Sequence, residues 1–88
     1  MSKNILKKQL ADLKSEVNRL KENDKITREK MTGLISEIEH MIANPDDSEH
    51  KSALIENLKN HIDNFEIKHP DLTGVLNRIM VMLSNMGI

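Results

Sequence analysis

Pro70-Asp71-Leu72-Thr73-Gly74-Val75-Leu76-Asn77-Arg78-Ile79-Met80-Val81-Met82-Leu83-Ser84-Asn85-Met86 decides the fold. Wound at about 100° per residue, Leu72, Val75, Leu76, Ile79, Met80, Met82, Leu83 and Met86 cover an arc of about 160°, and Val81 alone sits opposite. Thr73, Asn77, Arg78, Ser84 and Asn85 fill the other side. One neighbouring helix cannot bury a stripe this wide. Two or more are needed, from the same chain or from a second copy. Pro70 suits the first helical position, where the missing N–H costs nothing. Gly87 suits a left-handed C-terminal cap, with Ile88 packing back on Leu83 as in a Schellman motif.

Upstream segments supply the neighbours. Leu54, Ile55, Leu58, Ile62 and Phe65 make a third-helix face that His69-Pro70 interrupts. Met31, Leu34, Ile35, Ile38, Met41 and Ile42 span an arc of about 120° on a second helix. Asn44-Pro45-Asp46-Asp47-Ser48 ends that helix, because a residue before proline is pushed out of the helical region. Asp46 with Glu49 has capping-box spacing for the next helix. At the start of the chain, Leu6, Leu10, Leu13, Val17 and Leu20 repeat at 4, 3, 4, 3 over an arc of about 80°, the narrow seam of a coiled-coil-like contact. The same spacing runs on through the polar Asp24 and Thr27 to Met31. A break there, with Asp24 as N-cap of a new helix, is the simpler reading, and one straight rod is the competing one. The expectation is an all-α fold in one domain over residues 1–88: a small antiparallel helical bundle, or a helical hairpin with coiled-coil-like packing. Its helices fall near 3–22, 25–43, 47–68 and 70–86.

Composition narrows the function classes. The 88 residues carry 13 Lys and Arg against 14 Asp and Glu, a net charge of −1, which lacks the footprint of a nucleic-acid binder. The first thirty residues hold nine basic against five acidic side chains, and residues 45–88 hold four against seven. Pairs such as Glu16 with Arg19 and Lys25 with Glu29 read as solvated helix faces. Cysteine is absent, so disulfides and thiolate chemistry are excluded, and Phe65 is the single aromatic residue. The longest apolar run, Ile79 to Leu83, is far below the roughly 20 residues that span a bilayer. A cytoplasmic protein with no transmembrane segment is expected.

Glu37-Ile38-Glu39-His40 and Glu66-Ile67-Lys68-His69 both carry Glu-x-x-His, the ligand spacing of di-iron bundles. His40 lies about 160° from the centre of its apolar arc, so it does not point into a bundle. His69 directly precedes Pro70, a capping position. His50 and His61 sit about three turns apart, too far for a zinc site of ordinary spacing. No nucleophile with a base and no phosphate loop is present, and Gly33 and Gly74 read as packing or close-approach points within helices. No catalytic residue, cofactor or metal ligand is expected; a di-metal bundle is the remote alternative.

Phe65-Glu66-Ile67-Lys68-His69-Pro70-Asp71-Leu72-Thr73, then Leu76-Asn77-Arg78-Ile79 and Asn85-Met86-Gly87-Ile88, resemble the ending of a small bacterial family catalogued as domain of unknown function 4404. The resemblance runs over the whole chain and is most specific at Phe-Glu-x-x-His-Pro and Met-Gly-Ile. It implies an all-helical protein with nothing catalytic. It also sharpens the His-Pro step: His69 is expected to cap the fourth helix, with Phe65 and Leu72 as a staple across the kink. The expected function is a non-catalytic helical self-association or interaction module. A homo-oligomer built on Leu72, Val75, Leu76, Ile79, Met80, Met82, Leu83 and Met86 is the first expectation. An adaptor or chaperone-like protein, holding a partner helix on that Met-rich face, is the second.

Overall fold

The computed structural model of the chain describes residues 2–21, 24–65 and 68–85, with side chains from Asn4 onward except that of Phe65. Four helices follow one another: α1 (Ser2–Asn18), α2 (Lys25–Ala43), α3 (Ser48–Phe65) and α4 (Pro70–Asn85). Each packs on its neighbours in sequence, and α4 closes the ring against α1. Short connections make successive helices antiparallel, so this is an all-α four-helix bundle. Its extents are 38 × 21 × 18 Å.

α1 and α2 are separate helices. The N–H groups of Arg19 and Leu20 turn back to the carbonyls of Glu16 and Val17, at 3.1 Å each, and tighten the end of α1. α1 therefore stops four residues short of its expected end at residue 22. Asp24 holds the N-cap position of α2, its carbonyl accepting the Arg28 N–H at 3.0 Å. Its side chain makes no capping bond. With φ −92° and ψ 38°, its backbone is not in the extended conformation from which a capping side chain reaches the first turn. Arg28 does what sequence reading did not foresee. Its guanidinium donates to the Leu20 carbonyl at 2.8 Å and ties the start of α2 to the end of α1.

A single apolar cluster runs through all four helices. α1 contributes Leu6, Leu10, Leu13 and Val17; α2 contributes Met31, Leu34, Ile38, Met41 and Ile42; α3 contributes Leu54 and Leu58. From α4 come Leu72, Val75, Leu76, Ile79 and Leu83, all buried within the one chain, with Met80 and Met82 partly buried at the edge of the cluster. Most of the wide stripe is thus covered by α1 and α3. Met86, Gly87 and Ile88 lie outside the described residues, and with them the Schellman cap. Thr27 and Thr73 are the buried polar residues among those described. Both sit in or just past the first turn of their helices, α2 and α4, and the Thr73 hydroxyl donates to the Pro70 carbonyl at 2.9 Å.

Gly33 and Gly74 are not close-approach points, contrary to the sequence reading. A Cβ at either would meet nothing within 4 Å, and both residues are exposed. Each then carries the backbone entropy cost of glycine in a helix with no packing return. Gly33→Ala and Gly74→Ala are each expected to stabilise the bundle by about 0.5–1 kcal/mol. Thermal or urea unfolding followed at 222 nm checks this, and a fall in stability at either site would show a contact that the bundle hides.

Candidate functional site

The corner between α2 and α3 is built by Asn44-Pro45-Asp46-Asp47. Pro45 forces Asn44 out of the helix, to φ −132° and ψ 66°. The Asn44 N–H still reaches the His40 carbonyl at 2.8 Å, and its side-chain Nδ2 donates to the same oxygen at 3.1 Å. The Asp47 N–H closes a turn on the Asn44 carbonyl at 3.1 Å, with Pro45 at the position that favours its fixed φ.

That turn moves the cap. Asp47, not Asp46, is the N-cap of α3: its carbonyl accepts the Lys51 N–H at 3.0 Å, and its Oδ1 accepts the His50 N–H at 3.1 Å. Asp46 is consumed as an exposed corner of the turn, so the capping box drawn from Asp46 to Glu49 is corrected by one residue.

The second carboxylate oxygen of Asp47 points back at α2. Nε2–H of His40 donates to Oδ2 at 3.0 Å, which places the His40 proton on Nε2 and leaves Nδ1 to face the Asn44 amide at 3.4 Å. The ring of His50 stands beside that of His40, with centroids 4.3 Å apart and planes inclined at 50°. Nε2 of His50 is buried with no hydrogen-bond partner among the described residues. One potential ligand atom from each of His40, Asp47 and His50 lies within 4.8 Å of the others. The His40 hydrogen bond, helped by the His50 N–H, holds the Asp47 carboxyl below the usual carboxylate range.

The other histidines are elsewhere. His61 lies about 16 Å along α3 from His50. Burial pushes its pKa down, the charge of Lys30 adds to the effect, and Glu37 opposes it. At the far end of the bundle His69 is the residue before Pro70, and its carbonyl accepts the Thr73 N–H at 3.0 Å, as an N-cap carbonyl does. Leu72 is buried, but the Phe65 side chain falls outside the described residues, and so does the staple. Glu66 of the second Glu-x-x-His pair also lies outside them. In the first pair, His40 is largely exposed on the flank of the bundle, as its angle on the wheel requires.

An open polar groove runs where the end of α1 meets the start of α4, lined by Asp12, Glu16, Arg19, Asp71, Gly74 and Arg78 among others. Arg19 pairs with Glu16 at 3.5 Å, the i,i+3 pair expected from sequence. The groove is a solvated seam, and none of the four histidines lines it.

A family model described as a domain of unknown function, DUF4404, matches residues 6–88. The chain belongs to the DUF4404 family. No curated protein and no solved structure matches it. The DUF4404 match takes in α1 from Leu6 onward and the whole of α2, α3 and α4, so the His40–Asp47–His50 corner lies inside the family region and is not an appendage to it. Among the described residues, no helix of this DUF4404 chain is long and apolar enough to cross a membrane.

Two outcomes follow from the titrating groups. Asp47→Ala is expected to lower the melting temperature by several degrees and Asp46→Ala to leave it nearly unchanged. Because the folded-state pKa of Asp47 is depressed, its contribution is present above the unfolded carboxylate range, about pH 3.9, and is lost as pH falls through the lower folded value. The gap between wild type and Asp47→Ala should therefore close in strong acid. For His61 the depressed pKa means that the unfolded chain binds the proton more readily. Stability then falls as pH drops from about 6.5 towards the folded value, and His61→Gln should flatten that slope in thermal melts between neutral and mildly acid pH.

Proposed function

We propose that this chain is a non-catalytic helical module that acts in the cytoplasm by associating with a second copy of itself through the end of α4. The observation that carries the reading is the turn Met80-Val81-Met82-Leu83. Four consecutive apolar residues leave no polar side on a helix, and a turn apolar all round is ordinarily buried on all sides. Within one chain it is not: Leu83 is in the core, Met80 and Met82 are partly buried, and Val81 is 49% exposed. The near-neutral charge of the chain puts little electrostatic repulsion in the way of self-association. A non-catalytic role is supported by the make-up of the interior, where the described buried side chains are apolar apart from two threonines.

The adaptor reading uses the same turn. Partly exposed thioethers at Met80 and Met82 suit a surface that adapts to an amphipathic helix of another protein. Sedimentation equilibrium over a wide concentration range separates the two. Self-association predicts a dimer or higher oligomer for the wild type, dispersed to monomer by Val81→Lys with the 222 nm signal unchanged. A wild-type monomer at every concentration refutes self-association and leaves the adaptor reading.

A further inference from the structure

We propose that His40, Asp47 and His50 form a binding site for one divalent transition-metal ion of the zinc class, at the corner between α2 and α3. The site is independent of the association surface on α4 and departs from the sequence expectation of no metal ligands. Two imidazoles and a carboxylate are a donor set suited to zinc and its neighbours, with remaining positions left to water. One donor atom from each side chain already lies within 4.8 Å of the others. Zinc bonds of about 2.0–2.2 Å bring tetrahedral donors to about 3.3 Å apart, so closure needs movements on the order of an ångström. His40 is exposed enough to make them, with 42% of its side chain open to solvent.

Asp47 is arranged to serve twice. Oδ1 is occupied by the His50 N–H that caps α3, whereas Oδ2 faces His40. Ligation through Oδ2 alone therefore leaves the cap in place, and the cap in turn fixes the direction of the ligand. Binding at Nε2 of His40 displaces the proton now shared with Oδ2. Nδ1 takes it up, and the Asn44 side-chain amide, 3.4 Å away, can turn its oxygen to accept it, giving up the bond from its Nδ2 to the His40 carbonyl. Metal-bound histidines ordinarily have such a partner on the other ring nitrogen.

A second observation stands apart from this clustering. Nε2 of His50 is buried and unpartnered among the described residues, and the capping of α3 uses only that residue's backbone. Leaving a buried polar nitrogen unpaired costs free energy that a helix cap does not recover.

The test is calorimetric titration of Zn2+ into the metal-stripped full chain at pH 7.5, with melting temperature as a second readout. The expected result is one saturable site per chain and a melting temperature that rises with added zinc. His40→Gln and His50→Gln should each weaken binding by at least the tenfold that loss of even an outer partner typically costs, about 10–100-fold. Asp47→Asn keeps a good N-cap residue while removing the anionic ligand, so it should weaken zinc binding at a smaller cost to the metal-free melting temperature than Asp47→Ala. His61→Gln should bind as the wild type does. Absence of saturable binding overturns the proposal, as does wild-type affinity in both His40→Gln and His50→Gln, or loss of binding in His61→Gln. Should His50→Gln unfold, His40→Gln decides alone, since its ring lies outside the core.

Discussion

Burial of the α4 stripe is the constraint on which the rest of the bundle depends. Leu72, Val75, Leu76, Ile79 and Leu83 lie on a helix too apolar to be covered from one side, and the structure flanks it with α1 and α3. Once α4 sits between those two, α2 can only occupy the diagonal, where Met31, Leu34, Ile38 and Met41 fill the remaining side of the interior. Each fully buried side chain of this kind is worth roughly 1.5–3 kcal/mol, and the entropy of ordering a chain this short offsets most of the sum. Little in such a core is dispensable.

The connections between helices place the polar chemistry. A proline one residue beyond α2 forces a tight corner, and the tight corner sets the last turn of one helix against the first turn of the next. His40 and His50 are ten positions apart in sequence yet have rings in contact. Asp47 lies between them because α3 needs an N-cap there. A structural demand, the capping of α3, thus orients a carboxylate towards an imidazole on the neighbouring helix. The apolar turn at Met80 to Leu83 arises differently: it is what remains of the α4 stripe after α1 and α3 have taken their share.

Much of this was legible in the residues. The periodicity of Met31 to Ile42 and the Asn44-Pro45 stop placed α2 at its observed bounds, since amphipathic spacing and proline sterics act within a few residues. The placing of Pro70 at the head of α4 was legible for the same reason. Asp46 was misplaced as a cap because two consecutive aspartates fit equally well until the turn closed by the Asp47 N–H assigns them different duties. Gly33 and Gly74 were misjudged because a glycine in a helical pattern signals close approach only if another element comes near, and neither position has one. The reach of Arg28 to the Leu20 carbonyl depends on the angle at which α2 leaves α1, which no pattern records.

By itself the sequence determined the helical class and the positions of the apolar faces, because these follow from 3.6-residue periodicity, proline and capping chemistry within a turn or two; the break before Lys25 it only favoured over one continuous rod, and the structure decided it. The sequence also determined that His40 faces away from the core. Only the tertiary structure decided that the α4 stripe is largely covered within one chain, and that His40 meets His50 and Asp47 rather than remaining a lone surface residue. The physical reason is the same in both cases. Which faces meet across a bundle depends on how all the helices share a limited interior, and that is settled by packing between distant segments, not by any local run of residues.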